Sequence, residues 1–193
     1  MKVVLIPCGA TEWHAEARLL GRVELPLTEA GQQACAAWAG TLTPLGLQRI
    51  LHGPDELSTQ TAAVLARRLC VPTRAVDDLA EVHIGLWAGL TESQVKNRYA
   101  SAHRELGEAP LNVSPPDGES FSAAAQRLRA CFRKQLKKNG VDVVGVVVRP
   151  LAFAVLRCTL EGRELTDVWE ALRAAPAPVV IDSPAIGGAK RGR

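Results

Sequence analysis

Apolar residues fall into two kinds of run along this chain, and their spacing separates strands from helices. Lys2–Pro7 (KVVLIP) is a short continuous apolar stretch that ends in Pro7-Cys8-Gly9, the pattern of a strand buried on both faces. Residues 141–148 (VDVVGVVV) are β-branched and nearly uninterrupted, which predicts a central strand. Residues 47–51 and 178–181 predict two shorter strands. Thr28 predicts the cap of a helix running to about residue 42, with Glu29 in the first turn, where the dipole favours an acid. Residues 58–70, rich in Ala, Leu and Arg, predict a second helix with Ser58 as its cap. Further helices are predicted over 91–106, over 119–139 with Gly140 as terminator, and over 150–160.

Strands alternating with helices in this way predict an α/β fold, a three-layer α/β/α sandwich around a mainly parallel central sheet. Residues 109–118 (APLNVSPPDG) form the one long polar, Pro-rich connection, a surface loop or lid candidate too short to link domains. The expectation is one domain over residues 1–186 and a basic, Gly-rich, disordered tail over 187–193.

Composition narrows the function classes. The chain has 193 residues with 47% apolar and 22% charged, as in an ordinary folded protein. Its net charge of +3 comes from Lys190, Arg191 and Arg193; the rest of the chain is neutral. That distribution gives no support to nucleic-acid binding. The N-terminal apolar run is too short for a signal peptide and no run has the length of a membrane span, so a cytoplasmic protein without membrane contact is expected. Five cysteines, odd in number and never spaced as CxxC, read as reduced thiols. His52, His83 and His103 are scattered without metal-ligand spacing, so neither a metal nor a cofactor is expected.

In open parallel sheets ligands collect beyond the carboxyl ends of the strands, here at Pro7-Cys8-Gly9 and at Arg149-Pro150. The surrounding motifs resemble those of the histidine phosphatase superfamily, the phosphoglycerate-mutase-like phosphatases. Gly9-Ala10-Thr11-Glu12-Trp13-His14 is similar to the family's G-E-T-x-W-N, and Gly21-Arg22 with Pro26-Leu27-Thr28-Glu29-Ala30-Gly31 to its GR…PLTxxG. Gln60-Thr61-Ala62 matches its QTA. Leu79-Ala80-Glu81 with Gly85-Leu86-Trp87-Ala88-Gly89 is similar to L-x-E-x-x-x-G-x-W-x-G, and Pro116-Asp117-Gly118-Glu119-Ser120 to P-G-G-E-S. Five motifs in family order imply a phosphoglycerate-mutase-like fold.

At the catalytic positions the resemblance fails. Where the family has Arg-His-Gly, whose His becomes phosphorylated, this chain has Pro7-Cys8-Gly9. The second Arg of the family falls on Leu57 and its second His on Arg149, followed by Pro150 instead of Gly. Only the acidic position persists, as Glu81. Two guanidiniums hold the phosphoryl group in such a site, because their planar forks match its oxygens. Pro7 and Leu57 offer neither charge nor side-chain donors.

Several roles stay open for individual residues. Cys8 is either a replacement nucleophile, its thiolate stabilised by Arg149, or a small apolar residue in an unused turn. Glu81 is a general acid, or a relic paired with Arg149 or Arg22. Arg22 holds an anion at the pocket rim or is a solvated turn residue, and His14 makes a polar contact where the family has Asn. Arg22, His14 and Arg149 are the candidate ligand-binding residues. The expected function is that of a pseudophosphatase, an inactive member of the family that binds, regulates or assembles. An active phosphomonoesterase using Cys8 or a relocated nucleophile is the alternative, and a homo-oligomeric structural protein the second. The expected partner is a protein or a small anionic ligand, and a homodimer is compatible with the sequence.

Overall fold

The computed structural model describes residues 2–166, 168–173 and 177–182, so the tail expected at 187–193 lies outside the described residues. In chain order the elements are β1 (Lys2–Pro7), α1 (Glu12–Ala15), α2 (Glu29–Leu42), β2 (Arg49–His52), α3 (Glu56–Leu69), β3 (Thr73–Ala75) and α4 (Glu92–Arg98). There follow α5 (Ala100–Glu108), α6 (Phe121–Asn139), β4 (Val143–Val148), α7 (Pro150–Glu161), α8 (Val168–Arg173) and β5 (Val179–Asp182). The five strands form one sheet in the order β3-β2-β4-β1-β5, with β5 antiparallel at one edge and the rest parallel.

The sandwich follows from strands whose alternate side chains are apolar on both faces. Val3 and Leu5 of β1, with Val144, Val146 and Val148 of β4, pack against Leu128 and Phe132 of α6 and Val155 and Leu156 of α7. Val4 and Ile6, with Ile50 of β2 and Val147 of β4, pack on the other face against Leu42 of α2 and Leu65 of α3. The run of valines in β4 is central in the sheet, as its composition predicts. A third cluster surrounds Trp87 with Val95 of α4, Leu106 of α5, Phe121 of α6 and Trp169 of α8. It reaches Leu151 at the start of α7 and so lies beside the carboxyl end of β4.

Two expectations need correction. The cap of α3 is Asp55, whose carboxylate accepts from the Ser58 amide at 2.9 Å; Ser58 sits inside the first turn. The helix expected over 91–106 is two helices, because Tyr99 leaves helical geometry (φ −137°, ψ 52°) with its ring 6.0 Å from that of Trp87. Packing there overrides propensity. The connection over 109–118, a lid candidate in the sequence, is tied at both ends: Pro116 O accepts from Leu86 N, and Phe121 N donates to Val113 O. The short elements α1, β3 and α8 have too few residues for their periodicity to be read. Among the described residues no helix is long and apolar enough to cross a membrane.

Two glycines of α2 have opposite roles. A Cβ on Gly31 would lie 2.4 Å from Ala10 O, whereas one on Gly40 meets nothing within 4 Å. Gly31 therefore lets α2 close on the turn after β1, and Gly40 only weakens the helix. We expect Gly40→Ala to stabilise the protein by about 0.5–1 kcal/mol and Gly31→Ala to destabilise it by roughly 2 kcal/mol, both read from denaturant melts.

Candidate functional site

Sheet register brings the candidate residues together. Pro7 pairs with Val148 and the Cys8 amide donates to Val148 O at 3.0 Å, so Cys8 and Arg149 leave the sheet side by side. On the other side of β4, β2 ends at His52 opposite Val147, and the turn beyond it carries Asp55 into the same space. Pro150 takes the first position of α7, where its missing N–H breaks no helical bond.

Arg149, 1% exposed, crosses this space. Its Nη2 donates to Val23 O at 2.7 Å, and its Nη1 lies 3.7 Å from Asp55 and 4.0 Å from Glu24. Its Nε and Nη1 have no hydrogen-bond partner within normal distance, so ion pairing with two carboxylates is what balances the buried charge. Asp55 has three tasks. One oxygen caps α3, the other accepts the Ser58 hydroxyl at 2.7 Å, and the carboxylate faces Arg149.

That arrangement fixes the state of Cys8. Ser58 spends its one proton on Asp55, so in the 3.3 Å contact between Cys8 Sγ and Ser58 Oγ the thiol is the donor. Burial first, and the Asp55 carboxylate second, push the Cys8 thiol far above its ordinary range, against smaller pulls from Ser58 and Arg149. A thiolate is not available here. Leu57 is fully buried in the apolar layer between β1 and α3.

Glu81 pairs with neither arginine proposed for it. Its Oε1 accepts from the Val82 and Ala152 amides, each at 2.7 Å, and its Oε2 from the Leu151 amide at 2.9 Å, at the N-terminus of α7. Burial pushes the carboxyl up to about 7 against the pull of Arg149 and of those three amides. Arg22, an exposed side chain, donates to the carbonyl of Glu81 at 2.8 Å and to Glu119 at 3.0 Å and so braces the turn that carries it. His14 makes the polar contact expected of it: the Thr11 amide donates to its Nδ1 at 3.0 Å. Burial, and then Arg149, lower its pKa, so the ring is neutral with its proton on Nε2.

The motifs that persist have structural roles. Gln60 Oε1 accepts from Leu27 N, Thr61 Oγ1 from Gly9 N, and Thr28 caps α2 through Gly31 N, each at about 3 Å. Glu119 gathers Arg22, Arg127 and the His83 amide. Val23, Glu24 and Asp55 were not singled out in the sequence, and Ser58 was read only as a helix cap. The Asp55-x-x-Ser58 spacing is a cap signal that could have found Asp55. Beside this filled space opens a cleft of about 740 Å³, lined among others by His14, Leu20, Glu81, Lys96, Leu151 and Trp169. Among the described residues no group of three or more His, Cys, Asp or Glu side chains is placed to hold a metal ion.

A family model described as the histidine phosphatase superfamily (branch 1) matches residues 3–181. Phosphoserine phosphatase 1 of Hydrogenobacter thermophilus is 24% identical over 169 residues, 88% of this chain and 80% of its own. The metal-independent phosphoserine phosphatase of Arabidopsis thaliana is 24% identical over 190 residues, 94% of this chain and 80% of its own. Among solved structures, YhfR of Bacillus stearothermophilus superposes with a TM-score of 0.80 at 22% identity, covering 94% of this chain and 90% of that one. A mycobacterial glucosyl-3-phosphoglycerate phosphatase complexed with VO3 superposes with a TM-score of 0.76 at 23% identity, covering 86% and 85%. At these identities the solved structures fix the fold.

Two measurements follow from the buried charges. Removing Arg149 leaves Asp55 buried without its cation, so Arg149→Met should cost about 3–5 kcal/mol, and Arg149→Met with Asp55→Asn should be non-additive by about 0.5–3 kcal/mol in a double-mutant cycle. Glu81, raised from the ordinary carboxylate value to about 7, holds a proton in the folded state that the unfolded state has lost. Its contribution is therefore full below about pH 4.5 and lost as pH rises through 7, on the order of 3 kcal/mol in all. Denaturant melts from pH 5 to 8 should show that decline in the native chain and a flatter profile in Glu81→Gln.

Proposed function

The chain belongs to the histidine phosphatase superfamily, branch 1, and from that membership we propose that it keeps the family's fold without the family's chemistry, as a binding or regulatory protein. The observation that carries this reading is the Arg149 guanidinium, buried between Val23 O, Asp55 and Glu24 beside Cys8. A phosphoryl group there would need cations free to meet it. Arg149 is already engaged, Leu57 and Pro7 carry no charge, and the Asp55 carboxylate would repel an incoming dianion.

The relatives above are named phosphatases, so the alternative is a working phosphomonoesterase with a substitute nucleophile. Cys8 does not serve, because its proton is held in the Cys8–Ser58–Asp55 chain. His14 does not serve either. Its Nδ1 lone pair faces the Thr11 amide, and its other nitrogen carries the proton. In coupled catalytic sets the loss of the nucleophile alone costs on the order of a million-fold in kcat, and Glu81 has nothing left to assist.

Incubation with p-nitrophenyl phosphate tests the reading. We expect release of p-nitrophenol at the rate of the buffer blank, with Cys8→Ser and His14→Ala indistinguishable from the native chain. Turnover that disappears in Cys8→Ser would establish the thiol mechanism in its place, and turnover that disappears in His14→Ala a relocated imidazole.

A further inference from the structure

The elements that line the cleft near Arg149 are braced by side-chain contacts. Glu92 of α4 accepts from Arg173 of α8 through both oxygens, at 2.8 and 2.7 Å, and contacts His103 of α5 at 3.1 Å. Trp169 of α8 stacks on the His103 ring at 4.9 Å and donates to the His103 carbonyl. On the facing wall Leu19 N donates to Leu90 O, Gly89 N donates to Leu19 O, and Arg18 donates to Gly89 O at 2.7 Å. These ties brace α4, α5 and α8 and the facing segments around a space of about 740 Å³, which has the size of a small-molecule pocket.

The lining states what such a molecule must carry. Leu19, Leu20, Leu151, Leu172 and Trp169 supply apolar wall. The acids and most cations are already spoken for: Glu92 with Arg173, Arg18 with Glu16 and Gly89 O, and both oxygens of Glu81 with backbone amides. Among the nitrogen-bearing side chains of the lining, His14 through the Nε2–H that the Thr11 contact imposes and Lys96 through its ammonium donate to no acceptor among the described residues, and the hydroxyls of Thr91 and Ser93 lie in the same wall. We propose that this cleft binds a small amphipathic carboxylate, its apolar body against the leucines and Trp169 and its carboxylate directed to Lys96 and His14. The proposal rests on the reading that Arg149 and Asp55 fill the phosphoryl subsite, which leaves the remaining cleft to a ligand without a phosphate.

Octanoate, octanol and octylamine share a chain and differ in the end group, and Trp169 in the wall reports their binding through tryptophan fluorescence. Near neutral pH octanoate should give a saturable change and bind about tenfold more tightly than octylamine, because one end group complements Lys96 and the other is repelled by it. Lys96 is exposed, so Lys96→Gln leaves the fold intact; it should weaken octanoate about threefold to fivefold and leave octanol unchanged. Trp169→Phe should remove the signal. Equal binding of the three compounds, no saturable response to octanoate, octanoate binding unaffected by Lys96→Gln, or a signal that survives Trp169→Phe would each overturn the proposal. Turnover of p-nitrophenyl phosphate is a separate outcome: it removes the filled-subsite reading and leaves a positive octanoate titration standing as binding to the cleft.

Discussion

A buried guanidinium must be balanced, and in this protein the balance organises everything beyond the carboxyl ends of the central strands. Arg149 leaves β4 into the interior, where its charge is tolerable only because Val23 O, Asp55 and Glu24 converge on it. Asp55 can be there because the turn after β2 ends in the cap of α3, and its second oxygen then fixes the direction of the Ser58 hydroxyl and of the Cys8 thiol. One ion pair thus sets the protonation of its neighbours, and on the function proposed above it occupies the position of the family's phosphoryl group.

Glu81 and His14 are also bound to the backbone. Each lines the cleft, Glu81 with both oxygens on backbone amides and His14 with its Nδ1 on one. Glu81 closes the N-terminus of α7 by accepting its Leu151 and Ala152 amides, and also takes the Val82 amide; His14 ties the Thr11 amide at the start of α1. Gln60, Thr61, Thr28 and Glu119 likewise pin the loops around the site to its helices. Such residues persist in a chain that needs the scaffold, whether or not it needs the reaction.

The strands were legible because Val143–Val148 and Lys2–Pro7 are apolar on both faces, which only a strand covered on both sides requires. The break at Tyr99 was not, since it depends on packing against Trp87 from a distant segment. At the site, the positions of Pro7, Cys8, Leu57, Glu81 and Arg149 were legible from motif spacing, but the partners of Arg149 were not. Glu24 and Asp55 are ordinary acids in sequence and meet Arg149 only through the sheet order β2-β4-β1. The Glu81 contact with α7 was hidden for the same reason, since its donors lie 70 residues further along the chain.

The central claim is that the protein's own ion pair holds the phosphoryl position. A crystal structure of the protein soaked in orthovanadate tests it most directly. The account predicts Arg149 on Val23 O and beside Asp55, with no vanadium among Cys8, Glu81 and Arg149. Vanadate bound there, with the Arg149 guanidinium turned onto its oxygens and away from Asp55, would contradict it.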